Sequence, residues 1–400
     1  MIMIKKKNFL FLGAVAVLVG ALLSGTLFAG YFLWTDQIFV SSAEYAAYKK
    51  NEKTYGELAE LQTLISEKYY VPVDSEKLRE SMYKGLFAGL EDPYSTYLSK
   101  SEYEQLMIST TGEYQGVGVT IEPDANGYIN VVAPMSGSPA EKAGVKAGDK
   151  ILEVDAVKYT GESIDAAASA MRGEEGTKVT LLILRGEKNM EFKITRAKIE
   201  MKTVSSKKLD GKIGYIRISS FEEKTGVDFE KALHAMEVQQ MKGLVIDLRG
   251  NPGGVVSAGV TVADALLPEG IIAYTENQKK EKQYFRSESG ATDIPFVVLV
   301  DQGSASTTEI VAAAIKDHKK GRLVGTTTYG KGIIQEIAAF EGGGATKLTV
   351  MQYFSPEGKT IHKVGVEPDH VITLEEGDYV DGKLPEENDR QLQKALELLR

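Results

Sequence analysis

The sequence predicts a multidomain protein: a single N-terminal transmembrane helix, a helical segment, a small β-rich module and an α/β core. Three observations carry this reading. Twenty-six residues, Phe9 to Trp34, run without one charge. From Thr111 the apolar spacing changes from a helical period to alternation, with a turn at Asn126-Gly127. From about Lys198 apolar strands and amphipathic helices succeed one another, as a largely parallel sheet requires.

The apolar run sets the first boundary. At a rise of ~1.5 Å per residue it can cross a hydrocarbon core of about 30 Å with some tilt. Lys5, Lys6 and Lys7 precede it and Asp36 follows. The positive-inside rule then puts residues 1–8 in the cytoplasm, 9–34 in the membrane and the rest outside. Tyr31 and Trp34 suit the outer interface. The rival is a cleaved signal peptide, whose apolar region is shorter, about 7–15 residues, and ends at a small-residue site. No such site is clear here, so the expectation is a single-pass cell-membrane protein with an extracytoplasmic body.

Composition excludes several functions. The net charge of −9 gives no basic face for nucleic acid. There is no cysteine, hence no disulfide, thiolate or lipoprotein anchor. The four histidines form no zinc-binding spacing, so neither metal nor cofactor is expected.

Residues 35–111 read as helical. Leu58, Leu61, Leu64 and Ile65 follow a helical period, and "SEKLRESMYKGLFAGL" repeats it behind a possible Ser75 cap. "EDPYSTYLSKSEYEQL" turns at Asp92-Pro93 and resumes as helix. The plain reading is a spacer or dimerisation hairpin. "DRQLQKALELLR" at the end could also pair subunits.

Residues 112–198 read as a compact β module. "YQGVGVTIEPDANGYINVVAPM" is a hairpin, and Ser138, Pro139 and Glu141 mark a short helix that Gly144 ends. A strand, the helix "IDAAASAMRG" and two closing strands follow. This order resembles a PDZ domain of the circularly permuted form found in bacterial proteases. The equivalent of its carboxylate-binding loop is Gly116, Val117, Gly118 and Val119. Such a loop captures the C-terminus of a polypeptide with backbone N–H groups, and the bound peptide adds a strand to the sheet.

In the α/β core, 199–400, sites form at the carboxyl ends of strands. Two loops stand there: "RGNPGG" after "GLVIDL" and "DQGSAST" after "PFVVLV". Ser306-Thr307-Thr308-Glu309 is a capping box before an apolar-periodic helix. A cap and a nucleophile are compatible, because free N–H groups at a helix start can stabilise an oxyanion. His318 lies twelve residues on, roughly 18 Å along the helix, and reads as a helix-end cation. A lysine base remains. Lys331 stands between two glycines just ahead of an apolar strand, with Gln335 four residues later, on the same face in either a strand or a helix. To act near pH 7 it must lose about three units from a usual pKa of about 10.4, which burial can supply.

These residues resemble the carboxyl-terminal processing proteases. The serine of "GSAS", a lysine 25 residues later in "YGKG" and a glutamine four further on match that family's pattern at Ser306, Lys331 and Gln335. "DPYSTYLS", "GYIRISSF", "DLRGNPGG" and "GVEPDH" agree with it too. The resemblance implies a crotonase-like core in which Ser306 attacks, Lys331 is the base and Gln335 supports it. It also implies an oxyanion hole from the N–H groups of Thr307 and one glycine of 253–254, Gly253 by preference. Arg172 resembles an arginine that some relatives use to link peptide binding to the active site. Thr307-Thr308 replaces the alanine or serine common there.

The expected function is thus a membrane-anchored serine endopeptidase acting on proteins with exposed C-termini, without cofactor, as a homo-oligomer such as a dimer, and open to a regulatory protein partner. Two other classes fit parts of the sequence: a non-catalytic PDZ adaptor and a crotonase-like thioester enzyme. Serine, lysine and glutamine at these spacings oppose the first; the PDZ region and the lack of a nucleotide motif oppose the second.

Overall fold

The computed structural model describes residues 6–35, 40–288, 290–380 and 382–400. The protein divides into two compact units, residues 1–81 and 82–400. The first holds α1 (Lys6–Thr35), α2 (Ser42–Lys68) and the start of α3 (Ser75–Ala88). Ser41 opens α2 with a complete capping box, its hydroxyl and the Glu44 carboxylate satisfying two helix-start N–H groups. α2 buries none of its residues, and Tyr48, Tyr55, Leu58 and Ile65 stay exposed along it. Most of the expected tail 1–8, and several side chains of the expected anchor 9–34, Trp34 among them, lie outside the described residues. Among the described residues no helix is long and apolar enough to cross a membrane.

The second unit opens with an element the sequence reading missed. After α3 the backbone turns at Asp92-Pro93 and forms a strand, β1 (Thr96–Leu98), before α4 (Lys100–Thr111). Three residues are too few to show a period, and their pairing partner is some 250 residues away in the sequence.

The β module follows: β2 (Glu113–Gly116), β3 (Val119–Pro123), β4 (Ile129–Pro134), α5 (Pro139–Ala143), β5 (Lys150–Val154), β6 (Val157–Lys158), α6 (Ile164–Met171), β7 (Lys178–Arg185), β8 (Lys188–Thr195) and β9 (Ala197–Glu200). Its sheet runs β3-β4-β5-β7-β8, and β6 adds to β5. Inward residues of these strands and of α6, such as Ile129, Val131, Leu181, Ile183 and Met171, fill one core. The α5 cap differs in one detail: the Ser138 hydroxyl accepts the Glu141 N–H, but the Glu141 carboxylate takes the N–H of Gly137. β2 and β9 pair with each other alone and form a two-stranded stem between module and core.

The core contributes β10 (Val204–Leu209), β11 (Ile213–Ile218), α7 (Thr225–Val238), β12 (Gly243–Asp247), α8 (Val256–Leu266), β13 (Gly270–Asn277), β14 (Lys282–Ser287), β15 (Phe296–Val300), α9 (Thr307–His318), β16 (Arg322–Gly325), β17 (Ile333–Ala339), β18 (Ala345–Phe354), β19 (His370–Val371) and α10 (Arg390–Leu398). Its central sheet runs β10-β11-β12-β15-β16-β19; from β11 to β19 every pairing is parallel. β12 and β15 are buried on both faces, which explains their unbroken apolar runs. α7, α8 and α9 supply one face with Phe229, Val262 and Ile310. α10 covers the other with Leu392 and Ala395 against Val245, Val297 and Val324. The apolar side of "DRQLQKALELLR" therefore packs, through Leu392 and Ala395, within the protein, while Leu398 stays exposed.

A second sheet, β1-β18-β13-β14 with β17 also on β18, was not legible in the sequence. Its strands mix lysine, threonine and glutamine with apolar residues, and their partners are remote.

α10 is pinned by charge. Asp247 is fully buried at the end of β12 and accepts from Tyr215 Oη (2.6 Å) and Arg249 Nη2 (2.7 Å). Arg249 also reaches Asp389 (2.9 Å), the N-cap of α10. Burial pushes the Asp247 carboxyl up, but Arg249 and Tyr215 outweigh it and hold the group below its usual range. A depressed carboxyl stabilises the fold above its unfolded pKa, and this is lost as pH falls through the folded one. Arg249→Met leaves the buried Asp247 carboxylate to Tyr215 and the more exposed Arg217 (3.2 Å), takes the partner from Asp389, and should cost about 3 kcal/mol in urea unfolding. The deficit should shrink as Asp247 is protonated below pH ~4.

Candidate active site

The two loops named from the sequence meet at the carboxyl ends of β12 and β15. Asn251 is fully buried and organises the first. Its side chain donates to the Ile218 carbonyl (3.0 Å) and accepts the Gly253 N–H (2.9 Å), and its own carbonyl accepts from Ala305 N–H and Thr308 Oγ1 (both 3.0 Å). Thr307 Oγ1 donates to the Gly254 carbonyl (2.8 Å). The two threonines that depart from the family pattern thus lace the start of α9 to the glycine loop. A Cβ on Gly254, whose φ is 138°, would stand 2.0 Å from the Phe221 carbonyl oxygen, so no other residue fits there.

Ser306 is the N-cap of α9 at φ 57°, ψ −119°, a region a non-glycine residue rarely enters. The capping box is half as expected. The Glu309 carboxylate accepts the Ser306 N–H (2.9 Å), while the Glu309 N–H bonds the Ser306 carbonyl (2.8 Å) and the hydroxyl makes no cap bond. The serine oxygen is left free for other work. The Thr307 N–H, first in the helix, has no partner among the described residues. It lies where a Cβ on Gly253 would be 2.9 Å away. The Gly253 N–H is engaged by Asn251, whereas that of Gly254 has no partner among the described residues.

Glu309 does more than cap. It is fully buried and accepts four hydrogen bonds. Ser306 N–H and Lys331 N–H (2.8 Å) share one oxygen; Gly330 N–H (2.7 Å) and Thr328 Oγ1 (2.6 Å) share the other. Tyr353, also fully buried, sets its hydroxyl between the carbonyl oxygens of Ser306 (2.8 Å) and Lys331. Burial pushes the Tyr353 phenol well above its usual pKa, so it keeps its single proton, which the two carbonyl oxygens share. Two side chains thereby bind the backbones of Ser306 and Lys331 to each other. Glu309 was legible only as a cap; Tyr353 carried no sequence signal.

Lys331 is half-buried, with its backbone laid against residues 361–365. A Cβ on Gly332 would fall 2.4 Å from the His362 nitrogen, which is why a glycine follows the lysine. Burial, and then Lys347, push the Lys331 amine below its usual pKa; Asp92 and Glu309 oppose this less strongly. Its Nζ has no hydrogen bond among the described residues and lies 4.9 Å from the ring centre of Tyr94. Gln335 donates to Thr349 Oγ1 (3.3 Å), not to Lys331. The register of β17 shifts between Ile334 and Gln335, so the simple strand alternation from 331 to 335 does not apply. His318 lies at the far end of α9 against the Ile271 carbonyl.

In the β module, β3 is an edge strand, and a cavity of about 130 Å³ separates it from α6. Val117, Val119, Ile121, Ala168 and Met171 line it, with Arg172 at one end. The N–H groups of Val117 and Gly118 have no partner among the described residues. Arg172 donates to Gln105 of α4 (3.2 Å) and makes no bond to Ser306, Lys331 or Gln335.

Three family models match this protein: peptidase family S41 over residues 212–372, a PDZ domain over 131–185, and the activating protease CtpB N-terminal domain over 18–102. The carboxyl-terminal-processing protease of Synechocystis is 38% identical over 346 residues, covering 84% of this chain and 80% of that one. The carboxy-terminal processing protease CtpB of Bacillus subtilis is 36% identical over 340 residues, covering 83% and 70%. The solved putative S41 protease of Bacteroides fragilis shares the fold at 18% identity and a TM-score of 0.53, over 84% of this chain and 96% of that one. The chain belongs to the carboxyl-terminal processing proteases of peptidase family S41. It is a PDZ-containing, serine-type peptidase, which removes the adaptor and thioester readings.

Glu309→Gln keeps the size of this side chain but sets an NH2 group against N–H donors. Urea unfolding should show a loss of about 3 kcal/mol. A change below about 1 kcal/mol would mean that the Glu309 bonds do not hold the two loops.

Proposed function

We propose that the protein is a membrane-anchored, extracytoplasmic endopeptidase that engages exposed protein C-termini through its PDZ module and cleaves with Ser306 and Lys331. The observation that carries this is the double clamp of Glu309 and Tyr353, which joins the backbones of a strained serine and a lysine with a lowered pKa.

In this mechanism neutral Lys331 takes the proton of Ser306, whose oxygen attacks the peptide carbonyl carbon. The oxyanion is held by the Thr307 N–H and by a glycine N–H of 253–254. The free N–H of Gly254 suits that task as the loop stands; Gly253 would first have to leave Asn251. The C–N bond then breaks, Lys331 returns its proton to the leaving amine, and water, activated by the same amine, releases the acyl group. Gln335 orients the lysine once it turns from Thr349.

The substrate C-terminus would lie antiparallel to the free edge of β3, its carboxylate on Gly116, Val117, Gly118 and Val119 and its last side chain in the apolar cavity. Arg172, at the end of that cavity, is placed to sense the peptide and to exchange Gln105 for it. The strand order of the module supports the permuted PDZ reading, and helices laid on a mostly parallel sheet support the crotonase-like one. The uncharged run 9–34 supports the anchor, and the unburied apolar residues of α2 support pairing of two copies. A regulatory protein partner remains part of the proposal.

Ser306→Ala and Lys331→Ala should each lower cleavage of an unfolded protein by about a thousandfold or more. Retained activity in either would sink the dyad. The neutral amine is the active form, so kcat should rise with pH through an inflection below the ordinary lysine value of about 10.4. A flat profile between pH ~6 and ~9 would count against a lysine base.

Amidating the C-terminus of a peptide substrate should raise KM about tenfold with kcat little changed, because the loop N–H groups lose a charged acceptor. Equal KM for acid and amide would remove the PDZ module from recognition.

A further inference from the structure

We propose that the turn formed by residues 92–98 is a wall of the active site and that Tyr94 is a positioning residue for the Lys331 amine. This rests on the reading of Lys331 as the base.

The turn lies far outside the matched peptidase segment 212–372, yet it is built into the site. Asp92 accepts the Tyr94 N–H (3.0 Å) and the Ser95 hydroxyl (2.5 Å). Ser95, itself buried, accepts the Thr349 N–H (2.9 Å). Thr349 Oγ1 is the acceptor of Gln335. β1 continues the turn as a strand along β18, Thr96 opposite Lys347. The segment that delivers Tyr94 is therefore fastened to the strand that holds both Gln335's partner and the lysine's cationic neighbour.

Tyr94 presents its ring to Lys331 Nζ at 4.9 Å. Asp92 and Glu309 attract the amine and Lys347 repels it, but both carboxylates are occupied by other donors. Tyr329, two residues before the lysine, hydrogen-bonds Tyr94, and the backbone of His362 lies against Gly332, the residue after it. Its hydrogen bond with Tyr329, then burial, push the Tyr94 phenol up to about 12, so it is neutral at working pH. The ring does two things. Its edge and face exclude water from the amine, which favours the neutral base. Its π face attracts the ammonium that exists after the serine proton has moved, where no anion is bonded to it. A ring in van der Waals reach also limits the rotamers of a long, flexible side chain.

The test uses the full-length protein and a peptide substrate with a free C-terminus, comparing Tyr94→Phe and Tyr94→Ala with Ser306→Ala and Lys331→Ala. Tyr94→Phe keeps the ring and should stay within about twofold of wild type in kcat. Tyr94→Ala should lose kcat by about ten- to thirtyfold, with KM within about twofold. Because burial is the largest influence on Lys331, admitting water should move the acidic limb of the kcat profile to higher pH. An unchanged kcat, an equal loss in Tyr94→Phe, or a limb that stays put or moves down would overturn the proposal. Unfolding midpoints of the Tyr94 variants separate damage to the fold from loss of positioning. If Lys331→Ala cleaves like wild type, the base reading itself fails; if it is inactive while Tyr94→Ala is normal, only this inference fails.

Discussion

One buried carboxylate holds the site together. Glu309 sits in the first turn of α9 and accepts from Ser306 on its own helix and from Thr328, Gly330 and Lys331 on the next loop. These donors belong to segments about twenty residues apart that have no secondary structure in common. Four donors on two oxygens fill the acceptor capacity of the group, which is what a carboxylate needs in an interior that offers it no water. Because most of these bonds go to main-chain N–H groups, the interaction places backbones and leaves the Ser306 hydroxyl and the Lys331 amine unengaged. Tyr353 repeats the device on the carbonyl side, so the backbones of Ser306 and Lys331 are held by both their donors and their acceptors.

Around this joint the fold separates rigid from adjustable parts. The sheet behind the site is apolar on both faces, and the Asp247, Arg249 and Asp389 cluster fastens α10 to it directly before the glycine loop. Asn251 and the two threonines then fix that loop to α9. The β module is joined by the short β2 and β9 stem and by the ion pairs of Lys224 with Glu113 and Glu200, which are exposed enough to contribute little each. Residue 221 bridges the two regimes: its backbone pairs with Gly253 and Val255, and the next residues, 222 and 223, pack against the stem and the end of α4.

Much of this was legible in the sequence for particular reasons. β12 and β15 announce themselves because burial on both faces demands unbroken apolar runs. α5 shows through Ser138, Pro139 and Gly144, whose local chemistry needs no distant partner. The spacing of Ser306, Lys331 and Gln335 carries the family. What escaped is what depends on remote pairing. β1 is three residues long and exists because β18 is there. The second sheet alternates too irregularly to reveal its faces. The spacing from Lys331 points to Gln335, but its present partner, Thr349 on β18, lies fourteen residues further on. The packing of the last helix on the far face of the sheet escaped too, because that face is assembled from strands far apart in the sequence.

The sequence by itself determined the order of modules and which serine and lysine stand beside which elements, since these follow from composition, local caps and linear spacing, and it pointed to the family by resemblance of its motifs. Only the tertiary structure decided that a capping glutamate ties two loops together, that Tyr353 is its counterpart, and that a turn ahead of the PDZ module reaches Lys331. Each of these depends on groups meeting across tens to hundreds of residues, and no local rule of spacing encodes where a polypeptide will meet itself.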